Sequence, residues 1–288
     1  MPVVTYTIRK GDSLSAIALK FGVPLGVLID SNGITEPNKI MPGQELKIPP
    51  MTTDLSDHPE FAAPPPLTRM PSALAVNQKK FRLRPALDFH LEETKKDLVV
   101  LHYTAGPTVQ SAFNTWTGAA NQVATAYLID LDGTIYEFFD PKFWAFHLGF
   151  NADGKHKDHR RSIGIELINV GGLKPDRLDP GQLNWWANKF GTKYCRKSDT
   201  DMFVDRNFRG VRYHPAFPKA QLQSTVELVN HLCDRFAIPT RIPPASQRQS
   251  ETPDTNFATK FSGVISHQSF SNQRIDIGPA FDWTMLFT

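Results

Sequence analysis

The residues of this chain best suited to chemistry lie near its end. In Phe261–Trp283, FSGVISHQSFSNQRIDIGPAFDW, a short apolar run (Gly263, Val264, Ile265) leads into His267, a polar loop, Arg274, Asp276 and a Gly278-Pro279 turn. A histidine and an aspartate closing one loop, with a cation two residues before the acid, suit a zinc site with a water nucleophile. Two ligands do not make such a site. The rest of the chain must contribute at least a third, and a group that handles protons.

Two upstream segments offer polar residues in apolar surroundings. Lys96–Ala105 reads KDLVVLHYTA, and its continuous apolar run Leu98–Leu101 is the pattern of a buried central strand. His102 stands at the end of that strand, where binding groups tend to be mounted. Ser162–Asn169, SIGIELIN, is a second buried strand, whose apolar residues surround one acid, Glu166. Between them AYLIDLDGTIYEFF carries Asp132-Gly133, the strongest hairpin signal in the chain, followed by Trp144–Gly149, WAFHLG.

Further on, PGQLNWWANKFGTKY (180–194), with Trp185, Trp186 and Phe190, predicts a helix, and 198–212 a polar loop. Residues 218–236 place Leu222, Val226, Val229, Leu232 and Cys233 at helical spacing, an amphipathic helix ended by Ile238-Pro239. Residues 240–260 are polar and predict a mobile insertion loop. Strands alternating with helices make this part α/β, a mixed central sheet flanked by helices.

Residues 3–49 form a unit of their own. Val4–Ile8 alternates as a strand and Lys10-Gly11-Asp12 is a turn. Ser13 caps a helix with Leu14, Ile17, Ala18 and Phe21 on one face. Pro24 opens a second helix that stops at Asn32-Gly33, and Glu45–Ile48 closes the unit as a strand. This β-α-α-β order, with YTIRKGDSLSAIALKFGV, LIDSNGI and PNKIMPGQELKIP, resembles a LysM module, a binder of N-acetylglucosamine polymers such as peptidoglycan and chitin. The resemblance puts sugar contacts on Gly11, Asp12, Ser13 and Leu14 and on Asn32, Gly33 and Ile34. Read as residues alone, these are caps and turns. Both hold if backbone groups exposed in the loops meet the sugar's N-acetyl group.

The expected division is residues 1–50 for this module, 51–75 for a linker with three consecutive prolines, and 76–288 for the large domain. At 40% hydrophobic and 21% charged residues the composition is that of an ordinary globular protein. A net charge of +3 fits an anionic polymer but is too weak to imply nucleic acid, and no apolar run reaches the ~18 residues of a membrane span. Cys195 and Cys233 lie in helix-like patterns without CxxC spacing and read as core thiols. His156 and His159, in GKHKDHRR, read as solvated, and His231 as a helix-surface residue.

The order LHYTA, DLDGTIYEFF, AFHLG, SIGIELIN and SHQSFSNQRIDIGPAFDW resembles the zinc-dependent N-acetylmuramoyl-L-alanine amidases of type 2, related to phage lysozyme-type amidases and peptidoglycan-recognition proteins. It covers about residues 96–283. By that resemblance His102, His267 and Asp276 hold one zinc ion per chain and Glu166 is the catalytic acid. Arg274, where relatives often carry Lys, would steady an oxyanion. Phe146 stands where a tryptophan is commoner. With His147 and Thr104 it is expected to face the substrate. The implied function is cleavage of the amide joining N-acetylmuramic acid to L-Ala, in the glycan strand and stem peptide of bacterial peptidoglycan. The alternative is a wall-binding protein of the same fold that does not cut.

The start MPVVTYTIRKGD lacks the features of a signal peptide. Synthesis in the cytoplasm is expected, with action at the cell wall or periplasm after phage lysis or delivery by a secretion machine. A holin, an immunity protein or secretion components would then be partners.

Overall fold

A computed structural model describes residues 4–9, 12, 14, 17, 21, 28, 31–34, 40–48, 74–117, 122–149, 154–186 and 191–287. Gly11, Ser13, Phe190 and the linker as far as residue 73 lie outside the described residues.

In the N-terminal unit β1 (Val4–Thr7) and β2 (Glu45–Ile48) pair antiparallel, with Tyr6 opposite Leu46. The alternation of the strands turns Tyr6, Leu46 and Ile48 inward onto Leu14, Ile17 and Leu28, which form a small core of their own. Leu14 and Ile17, three residues apart, share a helix face.

The large domain is built on a six-stranded mixed sheet. Its chain order begins β3 (Val76–Asn77), β4 (Leu98–Tyr103), α1 (Val109–Thr117), β5 (Tyr127–Ile129), β6 (Ile135–Glu137), α2 (Lys157–Arg161) and β7 (Ser162–Leu167). There follow β8 (Leu173–Pro175), β9 (Gln182–Trp185), β10 (Lys193–Arg196), β11 (Phe203–Phe208), β12 (Val211–Pro215), α3 (Lys219–Phe236), α4 (Ala245–Arg248), α5 (Thr255–Lys260) and β13 (Gly263–Ser266). The spatial order is β13-β4-β7-β5-β6-β3, with β13, β4, β7 and β5 mutually parallel.

β4 is buried along its whole length because both faces are covered. Val99 and Leu101 point into the core shared with α3, through Leu228, Val229 and Leu232. Leu98 and Val100 point the other way, onto Leu148, Ala258, Phe261, Ile265 and Phe270. This two-residue period assigns His102 to the second face. β13 lies beside β4 with Ser266 opposite Leu101, so His267 follows at the level of His102. On the other flank Glu166 is the register partner of His102. Three strands thus deliver three polar side chains to one end of the sheet.

Residues 173–215 depart from the sequence expectation. The described residues of 180–194 form no helix. Gln182–Trp185 is a strand in a second sheet, ordered β10-β9-β8-β12-β11. Tertiary pairing decides this: buried Gln182 donates to the carbonyls of Leu183 and Cys195 at 2.8 Å, and buried Asn184 to Asp176 at 2.7 Å. Those partners exist only in the sheet. Cys195 accordingly lies on strand β10, packed with Leu173, Leu183, Met202, Phe203 and Tyr213. The predicted loop 198–212 contains β11, an edge strand buried only at its two ends, so its side chains are polar as a loop's would be. Residues 240–260 hold two short helices, and Asp254 caps the second by accepting from the Phe257 N–H at 3.0 Å.

Candidate functional site

At the shared end of β4, β7 and β13 three ligand atoms converge. His102 Nδ1 lies 3.0 Å from His267 Nδ1. Asp276 Oδ2 is 2.9 Å from the latter and 3.3 Å from the former. All three residues are buried, at 2%, 5% and 7% exposure. The loop between His267 and Asp276 is closed by Gln268, whose N–H donates to the Asp276 carbonyl at 2.7 Å and whose Oε1 accepts from the Gly278 N–H at 3.0 Å.

The hydrogen bonds behind these residues determine which ring nitrogens carry protons. Burial, reinforced by His267, pushes the His102 imidazole down to about 4. Burial, with His102 and His159 nearby, holds His147 well below its ordinary value. Both rings are therefore neutral at pH 7 and carry one N–H each. Ser162 has one hydroxyl proton and directs it to the Asp158 carbonyl at 2.5 Å. The 2.8 Å contact from His147 Nε2 to Ser162 Oγ must then be donated by the imidazole. His147 Nδ1 is left as an acceptor, so the 2.9 Å contact to His102 Nε2 is donated by His102. His102 Nδ1 is consequently a bare lone pair. On the other ring, His267 Nε2 faces the Leu148 carbonyl at 2.7 Å and donates to it, which exposes the Nδ1 lone pair in the neutral ring.

Asp276 completes the set. Its Oδ2 faces the Nδ1 atoms of both rings. Two lone pairs and a carboxylate aimed at one point repel each other unless a cation lies between them. Ligand atoms around a tetrahedral zinc, at ~2.0–2.1 Å from the ion, stand ~3.3 Å apart. The observed 2.9–3.3 Å triangle and its N, N, O chemistry fit that ion. Among the described residues this is the cluster of histidine and carboxylate groups that could hold a metal.

Glu166 stands next to the triad. Its Oε2 is sealed from solvent with no hydrogen-bond partner among the described residues. Burial, reinforced by the Asp276 charge and opposed by Arg274, raises its carboxyl well above the ordinary range. A cleft of about 260 Å³ opens beside it, lined by Thr104, Trp116 and Trp185 among others. The Arg274 side chain is exposed and reaches over Gly149, where a Cβ would lie 3.1 Å from Nη2, and its charge bears on both His102 and Glu166.

Several predicted site residues make their contacts within the fold. His147 uses both ring nitrogens within the protein, so it positions His102 and offers no polar atom to a substrate. Phe146 packs among His90, Trp144, His156 and His159. His159 is buried rather than solvated, and its Nδ1 accepts from the His147 N–H at 3.1 Å. In the N-terminal unit Leu14 is a core residue at 3% exposure. Asp12 accepts from the Tyr6 hydroxyl and the Arg9 N–H at 2.7 and 2.8 Å. Asn32 bonds the Leu28 carbonyl and both backbone groups of Lys47. Gly33 remains exposed in its turn with φ of 60°, and Ile34 packs partly on the core.

Three contributors had no clear signal in the sequence. Ser162 fixes the His147 tautomer. Gly164 makes room for that ring, since a Cβ there would lie 3.1 Å from His147 Nδ1 and 2.7 Å from Thr125 Cγ2. Arg209, at the tip of the β11–β12 hairpin, donates to the carbonyls of Gln268, Ser271 and Arg274 and to that of Ser250. It clamps the loop that carries Asp276.

The fold and the triad define an α/β domain in which two imidazoles and one carboxylate could hold a metal, beside a protonatable acid. The family model described as N-acetylmuramoyl-L-alanine amidase matches residues 92–279, well over half of the chain. The protein belongs to that family. A LysM domain model matches residues 6–49. Among curated proteins the chain is similar to N-acetylmuramoyl-L-alanine amidase sle1 of Staphylococcus saprophyticus, 52% identical over 44 residues, 15% of this chain and 13% of that protein. It is also similar to N-acetylmuramoyl-L-alanine amidase XlyB of Bacillus subtilis, 33% identical over 84 residues, 28% of this chain and 26% of that one. These matches span about an eighth and a quarter of the relatives' lengths. Among solved structures, the amidase AmiD from E. coli in complex with an anhydro-N-acetylmuramic acid peptide is 21% identical, covering 67% of this chain and 57% of that one, with a TM-score of 0.41. Among the described residues no helix is long and apolar enough to cross a membrane.

Proposed function

We propose that this protein is a zinc-dependent N-acetylmuramoyl-L-alanine amidase. It cuts the amide between the lactyl group of N-acetylmuramic acid and L-Ala in peptidoglycan, and its LysM module holds it to the glycan. One observation carries the reading: in a chain of this family, three ligand atoms meet next to a carboxylate with one sealed oxygen that has no partner among the described residues.

Held by His102, His267 and Asp276, zinc would supply Lewis acidity toward the scissile carbonyl and water, with a net charge of about +1 on the centre. Glu166 takes a proton from the attacking water and returns it to the leaving amine. Its raised carboxyl pKa makes it a stronger base than an ordinary glutamate. Arg274 adds a fixed positive charge where negative charge develops on the carbonyl oxygen. Ser162, His147 and the Leu148 carbonyl keep the two imidazoles in the tautomers that face the ion. The LysM module raises the local concentration of substrate without taking part in the chemistry. Action at the wall, reached through a holin or a secretion machine and with an immunity protein as a further partner, completes the reading, and the identity of neighbouring genes tests it.

The decisive experiment incubates the zinc-loaded full chain with purified sacculi. Free L-Ala amino termini are expected to appear, to disappear with a chelator, and to be absent from Glu166→Ala, which still sediments with the sacculi. Stoichiometric zinc and intact sacculus binding without any release of peptide would instead make this a wall-binding protein that does not cut.

A further inference from the structure

We propose that Arg209, at the tip of the β11–β12 hairpin, is a positioning residue for the metal centre. Through its guanidinium the second sheet holds the loop from His267 to Asp276 at the span that lets both ligands meet. The inference rests on the proposed reading of that centre as a zinc site. It concerns how the chain holds its ligands, whatever bond is cut.

The turn is the first observation. β11 and β12 stay paired as far as Phe208 and Val211, which leaves Arg209-Gly210 as a two-residue loop. Both residues have positive φ, 48° and 81°. Hairpin loops of this kind favour Asn-Gly, Asp-Gly or Gly-Gly, since most side chains in the left-handed region crowd the following carbonyl oxygen. An arginine kept in that conformation points to a task for its side chain.

The second observation is what the guanidinium holds. Nη1 donates to the carbonyls of Gln268 at 3.1 Å, Ser271 at 2.7 Å and Arg274, and Nη2 to that of Ser250 at 2.6 Å. The loop therefore curls its carbonyls around one cation. The first of them belongs to the residue after His267, and the last lies two residues before Asp276. Gln268 in turn brackets the carboxylate ligand, through the Asp276 carbonyl at 2.7 Å and the Gly278 N–H at 3.0 Å. A planar guanidinium with five N–H donors can span several carbonyls in this way, whereas an ammonium acts as a point charge.

The third observation is that the clamp is itself anchored. The Arg209 N–H donates to Glu251 at 3.1 Å, and Arg206 donates to the Gln249 side chain at 2.5 Å. The Gln268 amide donates to the Arg248 carbonyl. From β12 the His214 ring also reaches Gly278, where a Cβ would lie 3.6 Å from its Nδ1. Hairpin, residues 248–251 and ligand loop thus meet at Arg209. Ordering the loop beforehand leaves less for a bound ion to order, which raises its affinity.

Arg209→Asn separates the clamp from the turn, because Asn-Gly suits the hairpin at least as well as Arg-Gly. In the full chain this variant should bind zinc about tenfold or more weakly, read by competition with a chromophoric chelator. The visible absorption of the cobalt-substituted protein should change with the ligand geometry. Millimolar guanidinium chloride should restore zinc affinity to the variant and leave the wild type unchanged. The rise in melting temperature on adding zinc should shrink, whereas a residue that merely supports the fold would lower the metal-free and zinc-loaded values equally. Wild-type zinc affinity and an unaltered cobalt spectrum in Arg209→Asn overturn the inference. If that variant fails to fold, Arg209→Lys decides, since it keeps the charge and loses the fork: an unchanged zinc affinity there overturns the inference too. A wild-type chain that binds zinc but releases no peptide from sacculi sinks the amidase reading and leaves this one standing. Peptide release together with wild-type zinc affinity in Arg209→Asn does the opposite.

Discussion

The two units of this chain treat their conspicuous polar residues in opposite ways. In the N-terminal unit Asp12 and Asn32 sit in the loops expected to meet sugar, yet their side chains hold turns and strands together. In the large domain His102, His267 and Asp276 keep lone pairs aimed at one another, and Glu166 keeps an oxygen with no partner among the described residues. Buried polar groups are normally satisfied, so a cluster that is not marks a place built for something else.

That contrast can be broken experimentally. The largest effect is expected from His267→Ala, which removes one of the three ligand atoms. Metal analysis should find zinc no longer stoichiometric, and turnover should vanish while sacculus binding persists. Glu166→Gln keeps the shape but not the base. Turnover should fall by roughly 10²–10⁴-fold with zinc content unchanged, as read by steady-state kinetics beside metal analysis.

Lys96 tests whether an under-satisfied buried group always signals function. It is 2% exposed, its Nζ donates to the Arg160 carbonyl at 2.8 Å, and burial pushes its ammonium down to about 7. The unfolded value is ~10.4, so between pH 7 and 10 the unfolded chain holds a proton that the folded chain has shed. This term therefore costs most below pH 7 and fades as the pH rises toward 10. Lys96→Met should be more stable at pH 6–7 by up to about 4 kcal/mol and lose that advantage by pH 10, measured by denaturant unfolding. The Arg160 carbonyl stays satisfied by the Thr94 hydroxyl at 2.5 Å. A loss of activity in this variant would give Lys96 a role beyond the fold.

Ser162→Ala frees the His147 tautomer. Zinc affinity should drop about 10–100-fold in a chelator competition, with melting temperature little changed. The smallest effect belongs to the other side of the contrast. Asn32→Ala should destabilise the LysM unit by about 1–3 kcal/mol and leave cleavage of soluble muropeptides untouched. A specific loss of glycan affinity without destabilisation would show that Asn32 contacts sugar directly.

Much of this was legible beforehand, for physical reasons. LVVLHY and SIGIEL are continuous apolar runs because both faces of a central parallel strand are covered, and the polar residues at their ends stand out for the same reason. The helix 219–236 showed its core face by period alone. The inserted sheet was not legible. Its strands are short, its edge strand is polar, and the partners of Gln182 and Asn184 lie on β10 and just past the end of β8. A segment with two adjacent tryptophans and little else apolar reads as a helix until those partners are known. Arg209 gave no signal either, since its role depends on carbonyls 41–65 residues further along the chain.

By itself, then, the sequence determined the residue types of the centre and the strand ends that bear them. Both follow from local pattern: apolar runs force strands, and the side chain after the run emerges at the sheet's edge. Only the tertiary structure decided which ring nitrogens of His102 and His267 face each other and Asp276, and that His147 stands behind His102. Each of these is a contact between segments distant in sequence, and a lone pair has no direction until the group behind it is in place.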